Sequence, residues 1–582
     1  MPLRSPHLTC VVTGLLLGST AAAQSMTRLQ GPGGRQVYEL DDSYVLVNAI
    51  SGDERLLLCT VANGFVPGDD DGFEHLAWFD RWTGQYSPAV SGIGGAPLDG
   101  SALGVDVSGG PAQPRYVLFA SHATNLGPVH QNGMTDLFLL DRQTNVVSRV
   151  SLTSTGAEPN GSSDYGEVSD DGRFVAFTSE ASDMTPNDTD NDVDVFVRDM
   201  VAGTTELVSV ALSGVGGNNF SHRAEISADG RSVAFVSGAS DLVPGDTNQT
   251  PDLFLRDLSA GTTQRIVLGP GGVQPNNSVY SFSMNPSAEV IAFDSIATNL
   301  VAQPVGPWEV YVLDRRNGSL RLVTVGLNGQ LADGTSEEPL ISDDGGWVLF
   351  SSYATNLVAN DSDDQKDSFL AAVSNGAIQM VTRSTSGSPG IPPTGWIDLT
   401  STAVSATGRL TVIRTDLEGL VAGDTNQQGD TFVWDQLSGA SPIESYCTSK
   451  VNSLGCTPRL TSAGEPHETA PEDAFFVSAH GLRNHRPGLL LWSTSAASLP
   501  FGGGTLCVGA PTVRTAGQMT GGTLSLDDCT GSSSFHFSRA YLSQHGLVSG
   551  TTAYAQFWGR DPGFAPPNAV TLSDGIRFTV RP

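Results

Sequence analysis

The feature that most constrains this chain is a spacing. Phe119, Phe177, Phe235, Phe293 and Phe350 follow one another at intervals of 58, 58, 58 and 57 residues, each closing a short apolar run. Leu56-Leu57-Leu58 before this series and Leu410-Thr411-Val412-Ile413 after it fit the same frame. A second landmark repeats in step. Aspartates end the next apolar stretch at Asp80, Asp141, Asp199, Asp257, Asp314 and Asp435, with Ala371 read in that place in the sixth unit. A fixed period of this kind marks a chain built from seven copies of one unit, each too thin to bury both its faces alone.

The unit reads as four strands. In the fourth copy they are His222–Ser227, Ser232–Ser237, Asp252–Asp257 and Thr263–Leu268, with Gly, Asp or Asn at the breaks. Four antiparallel strands per repeat spell the blade of a propeller, and closing the blades into a ring removes the exposed sheet edges. The expectation is an all-β chain: a seven-bladed β-propeller over residues 24–445, then a small disulfide-stapled β-sandwich over 446–582. Two segments compete to close the ring. Met26–Gln30 is followed by Gly31-Pro32-Gly33-Gly34, much as the outer strand of unit four is followed by Gly269-Pro270-Gly271-Gly272; Ala440–Ser445 is the rival.

Two strings carry a family resemblance: Val168-Ser169-Asp170-Asp171-Gly172-Arg173-Phe174-Val175-Ala176-Phe177 and Ile226-Ser227-Ala228-Asp229-Gly230-Arg231-Ser232-Val233-Ala234-Phe235. They resemble the WD40-like repeats of TolB-type β-propellers. Ile341-Ser342-Asp343-Asp344-Gly345-Gly346-Trp347 follows the pattern less closely, and units one, two, five and seven only loosely. The resemblance covers residues 40–440 and implies a fold. Propellers of this kind bind proteins, sugars or ions, or accompany enzymes, so function has to be read from sites. The segment from Tyr446 onward resembles C-terminal modules of secreted bacterial proteins, notably of planctomycetes.

The first residues have the form of a secretory signal: Arg4, an apolar core from Val11 to Leu17, and Ala21-Ala22-Ala23 before Gln24. Residues 1–23 are therefore expected to be removed, and the protein to be periplasmic, cell-surface or extracellular, with no membrane-spanning segment in the mature chain. Cysteine use agrees with an oxidising compartment. Cys447, Cys456, Cys507 and Cys529 cluster in the C-terminal part. The close spacing of the first two suits a small loop and that of the second two a stapled hairpin, with the connectivity open. Cys59 reads as a small buried core residue. Charge is uneven: residues 24–445 carry 53 acidic against 20 basic side chains, whereas 446–582 are nearly balanced. Such a surface repels nucleic acid and favours cations or basic partners.

The loop between the second and third strands is the strongest chemical signal. Unit three has Asp188, Asp190, Asp192 and Asp194 on alternate residues. Unit four has Asp246, Asn248 and Asp252, unit six Asp361, Asp363 and Asp367, and unit seven Asp424, Asn426 and Asp430. Calcium takes six to eight hard oxygen ligands, which alternate positions of a tight loop can supply. The same residues also cap turns through their own backbone amides. A second set, Asp106, Glu167 and Glu225, each stands two residues before the repeat's Ser and is expected at one level on the innermost strands. There the carboxylates either bind a cation, act as paired acids or face a wet channel. No Gly-x-Ser-x-Gly elbow, phosphate-binding glycine loop or zinc helix occurs. The expected function is that of an exported non-catalytic scaffold whose propeller face engages a protein or glycan, with calcium as a candidate ligand. The alternative is a carbohydrate-active enzyme, a polysaccharide lyase or glycoside hydrolase, using Asp106, Glu167 and Glu225.

Overall fold

The Ser-x-Asp-Gly tetrad shows why the repeat keeps its sequence. In unit three the Ser169 hydroxyl donates to Asp171 at 2.8 Å and accepts the Phe174 amide, while Asp171 accepts the Arg173 amide. Gly172 follows at φ +70°, where a side chain is strained, and a Cβ there would also lie 2.3 Å from the Tyr116 ring of the preceding unit. Gly230 meets Phe174 in the same way and Gly408 meets Trp347. The turn thus ends one strand, starts the next and packs each unit on the one before it.

The computed structural model describes residues 25–29, 45–52, 54–62, 65, 71–81, 84–108, 114–127, 132–359, 361, 364–383, 399–421, 429–436, 443–445, 449–463, 466, 475–521, 528–548 and 551–580. Seven four-stranded antiparallel sheets follow one another, as a seven-bladed propeller requires. In blade four the order from the inside outward is Ser221–Ile226, Ser232–Ser237, Asp252–Asp257 and Thr262–Arg265. The phenylalanines that set the repeat lie on the second strands and stack on aromatic partners directly across the third strand. Ring centroids are 5.6 Å apart for Phe119–Phe138, 5.9 Å for Phe177–Phe196, 5.8 Å for Phe235–Phe254, 5.4 Å for Phe293–Tyr311 and 5.7 Å for Phe350–Phe369. Cross-strand aromatic pairs of this kind add to the burial energy of each blade. Blade one places Cys59 and Ala77 at the equivalent positions, and Cys59 is a buried free thiol, as expected.

Strand pairing decides the closure of the ring. Ser25–Arg28 pairs with Asp430–Asp435 and completes blade seven, so the N-terminal contender is the clasp. Ile443–Ser445, placed by the sequence within the propeller segment, instead pairs with Val570–Thr579 in the C-terminal sheet. Blades one and seven then share a core that includes Val45, Leu57, Leu410 and Val433. Register also corrects one residue: Trp347 faces Ala372, so Ala372 rather than Ala371 stands in the place of the strand-ending aspartates. Asp80, Asp141, Asp199 and Asp435 clamp the arginine just before the second strand, as Arg115–Asp141 at 2.8 Å and Arg173–Asp199 at 2.7 Å show.

The C-terminal part packs two sheets about Trp492, Phe475, Phe537, Phe557 and Phe578. One sheet runs Ile443–Ser445, Val570–Thr579, Thr552–Arg560, Pro487–Ser493, Val513–Arg514; the other is Arg459–Ala463, Phe476–Leu482, Gly531–His536. The disulfide joins Cys456 to Cys529, which overturns both suggested local pairings. Arg459–Ala463 and Gly531–His536 flank Phe476–Leu482 on its two sides, and the bond ties the residues leading into both. Spanning 73 residues, it restricts the unfolded chain more than a local loop would, by about 4 kcal/mol on chain-entropy grounds. Cys507 is also disulfide-bonded. Cys447, Asp363, Asp424, Asn426 and residues 1–23 lie outside the described residues. No helix among the described residues is long and apolar enough to cross a membrane.

Candidate functional site

The innermost-strand carboxylates sit at one level, and each reaches the next blade. Asp106 accepts the Val168 amide at 2.9 Å, Glu167 the Ile226 amide at 2.6 Å, and Glu225 the Met284 amide at 2.5 Å. Blade five continues the series with a hydroxyl, as Ser283 accepts the Ile341 amide at 3.2 Å. These side chains are latches between blades. The innermost strand of a blade has no partner strand on its channel side, and the latch satisfies one of its amides that would otherwise lack an acceptor.

The latches still interact across the channel. Burial raises Asp106 to about 7, with Asp343 of blade six and Asp170 adding to the rise. Burial likewise raises Glu225 to about 8. Glu167 is pushed well above the usual range by burial and then by Glu225 and Asp106. Folding therefore raises these three pKa values and protons favour the folded state. That contribution is complete below the unfolded value near 4 and is lost as pH climbs through about 7–8. Glu225→Gln keeps an oxygen for the Met284 amide and removes the charge. Its melting temperature is expected to lie close to that of the wild type at about pH 5, to exceed it by a margin that widens up to about pH 8, and to hold that margin at about pH 9. A margin independent of pH in thermal scans at the three values would refute the charge assignment.

The acidic loops fall into two kinds. In blade four Arg265, on the outer strand, fills the space between the loop and the third strand: its Nη2 lies 2.8 Å from Asp246 and its Nε 2.9 Å from Asp252. Asn248 donates to Asp252 and to the Pro275 carbonyl, each at 3.0 Å. Blades two and seven use the same device. Arg149 pairs with Asp136, and Arg28, on the clasp strand, lies 3.4 Å from Asp430. Asp367 of blade six accepts the Thr382 hydroxyl. The sequence reading missed these arginines. Their signal is an arginine directly opposite Phe138, Phe254 and Phe432, visible once the outer strands are aligned.

Blade three has Leu207 at that position, opposite Phe196. Its loop brings Asp188, Asp190 and Asp194 together, with one oxygen of each within 4.8 Å of the others. Among the described residues this is the one such group of three. Asp188 is 5% exposed and Asp194 1%. The Ser209 hydroxyl donates to Oδ1 of Asp194 at 2.5 Å, but Oδ2 of Asp194 and both oxygens of Asp188 are buried with no donor in hydrogen-bonding geometry. Burial raises Asp188 to about 6, helped by Asp190, while the nearby Asp190 amide offsets part of the rise. Asp194 goes to about 7 through burial, although the Ser209 hydroxyl opposes it; Asp188, Asp190 and Asp192 add to the rise. Asp192 is exposed and stays out of the group, with its amide donating to Asp190.

Comparison with known proteins finds distant likenesses. No family model matches the chain, and no curated protein matches it. Among solved structures, TolB from Acinetobacter baumannii is similar at 15% identity and a TM-score of 0.30, over 58% of this chain and 62% of that one. The match thus spans less than two thirds of that TolB chain. The WD40 repeats of RRP9 are similar at 9% identity and a TM-score of 0.34, over 71% and 98% of the two chains. A structure of prolyl endopeptidases is similar at 8% identity and a TM-score of 0.39, over 79% and 55%.

The face that carries the acidic loops also carries aromatic side chains. Tyr165 is 67% exposed, Tyr280 40% and Tyr353 39%. Tyr280 packs on Trp308 with centroids 4.7 Å apart, and Phe220 stacks on His222 at 5.4 Å. Tyr165 is the extra residue of a β-bulge, at φ +35°, and Arg223 and Glu338 hold left-handed backbone at the matching bulges of blades four and six. Bulges re-aim side chains near sites, and an alternation pattern does not reveal them. Trp78 and Trp434 are core and Trp308 lies on this face; Trp82 and Trp396 fall outside the described residues.

Proposed function

We propose that the protein is an exported, non-catalytic binding protein that engages a protein or glycan through the face bearing the acidic loops. The observation that carries the reading is the set of interblade latches. Asp106, Glu167 and Glu225, the residues an enzyme would use, are each held by a backbone amide of the next blade. A general acid or nucleophile needs its oxygen directed at substrate, and here one oxygen of each carboxyl serves the scaffold. The exposed rings Tyr165, Tyr280 and Tyr353 suit contact with a partner side chain or a sugar ring, because tyrosine offers a large apolar body with a polar tip. The acidic excess of residues 24–445 favours a basic protein partner or a neutral glycan over an anionic one. Export belongs to the same proposal and rests on the signal-like pattern of residues 1–23.

The enzyme reading keeps one supporting observation, three carboxyls with raised pKa values around one channel. One experiment separates the two. The chain from Gln24 onward is immobilised and exposed to envelope extract and to polysaccharide, beside Tyr165→Ala/Tyr280→Ala and Glu167→Gln variants. The expected result is capture of a discrete partner, weakened about tenfold or more by the tyrosine variant, as for hot-spot aromatics, and unchanged by Glu167→Gln. Depolymerisation of the polysaccharide by the wild type and not by Glu167→Gln would overturn the proposal. Equal capture by the tyrosine variant would remove the face assignment.

A further inference from the structure

We infer that blade three holds a calcium ion between Asp188, Asp190 and Asp194, in the place where blade four holds the Arg265 guanidinium. The two blades are superposable by register. Asp188 corresponds to Asp246, Asp190 to Asn248 and Asp194 to Asp252, each 58 residues apart. Leu207 corresponds to Arg265, each standing opposite the third-strand phenylalanine. Blade four therefore sets two carboxylates against one guanidinium, leaving one net negative charge. Blade three replaces the arginine with leucine and adds a carboxylate at Asp190. A divalent cation among three carboxylates restores the same net charge. Blade three lacks the internal cation of blade four and has one more carboxylate, and a single external cation in that position accounts for both differences.

Burial supplies the independent reason. Three buried oxygens, two on Asp188 and one on Asp194, have no donor in hydrogen-bonding geometry. An uncompensated buried carboxylate costs several kcal/mol, so a fold that retains it has a partner for it. Leu207 cannot be that partner, and the Ser209 hydroxyl already serves the other oxygen of Asp194. The chemistry of the donors favours a hard ion, since all three are carboxylate oxygens. One oxygen of each lies within 4.8 Å of the others, close enough for a single ion to reach all three. Calcium accepts the irregular geometry of such a loop, whereas magnesium demands a near-ideal octahedron and dehydrates reluctantly. Gly216 lines the site: its Cβ position lies 3.4 Å from Oδ2 of Asp194 and 3.7 Å from Oδ2 of Asp190. The Asn187 carbonyl lies 4.0 Å from the same point, a further hard oxygen beside the group.

The test uses the chain from Gln24 onward, stripped with EGTA and titrated with calcium chloride alone by calorimetry and by thermal unfolding. The expected result is one strong calcium site per chain and a melting temperature that rises with calcium, because a ion bound by the folded state stabilises it. Asp190→Asn is expected to weaken binding about tenfold or more while folding in EGTA at least as well as the wild type. Leu207→Arg is expected to abolish the calcium-dependent shift and to raise the melting temperature in EGTA, since it rebuilds the blade four arrangement. No shift and no heat at millimolar calcium would overturn the inference, as would a calcium response left unchanged in Asp190→Asn. A response to magnesium with none to calcium would overturn the choice of ion. None of these results depends on whether the protein binds a partner at its acidic face.

Discussion

Replacing Arg265 with leucine is expected to cost about 3–5 kcal/mol of stability, the price of leaving buried carboxylates without their counter-charge. The side chains of Arg265, Asp246 and Asp252 are 7%, 3% and 0% exposed, so water cannot replace the guanidinium. Asp252 illustrates the opposing forces. Burial raises its pKa to about 6, while Arg265 and the Asn248 amide pull it back. With the arginine gone, that pull is lost and the carboxyl takes up a proton nearer neutral pH. The variant is therefore expected to lose most stability in alkaline buffer and least near about pH 5, where Asp252 is neutralised. Urea denaturation at the two pH values measures this. Arg265→Leu combined with Asp246→Asn and Asp252→Asn should recover much of the loss, because matched removal of both charges costs far less than removal of one. A loss equal in the single and combined variants would mean that Arg265 contributes only its packing.

Much of this architecture was legible in the chain. The 57–58 residue phenylalanine spacing, the Ser-x-Asp-Gly turn and the strand-ending aspartates gave seven four-stranded units, because each is a local device repeated in register. The gathering of Asp188, Asp190 and Asp194 was also local, since alternate residues of one loop meet without help from distant chain. What the sequence left open depends on contacts between separate elements. Whether Asp106 faced water or a neighbour is decided by Val168, 62 residues away, and by the stagger between two blades. The disulfide escaped a reading by spacing because the short Cys447–Cys456 interval draws attention, whereas the pairing follows two strands that flank a third. The role of Arg265 was hidden because an arginine on an outer strand looks solvated until register places it beside the loop of its own blade. That one comparison, Arg265 against Leu207, separates a loop that is complete within the chain from one that calls for an ion.

Removing the clasp is expected to have the largest effect of all. Ser25–Arg28 supplies the outer strand of blade seven, and its loss deprives Asp430–Asp435 of a partner along four residues. Met26 and Leu29 are 6% and 3% exposed; Met26 packs in the cluster of Trp434, Phe432 and Leu370, and Leu29 in the core shared by blades one and seven. Burying two such side chains contributes about 3–6 kcal/mol. Arg28 adds the ion pair with Asp430, whose side chain is 0% exposed. The deletion also opens a strand edge bearing Phe432 and Trp434, and an unpaired apolar edge is a template for aggregation. A chain starting at residue 31 is therefore expected to melt well below the full ring and to associate on heating. A peptide of residues 24–32 added in excess should restore the melting temperature by strand addition, because the missing element is one short strand with its own register. If instead the shortened chain melts like the full one and stays monomeric by light scattering, the seventh blade stands without its fourth strand and closure rests on blades one and seven packing directly.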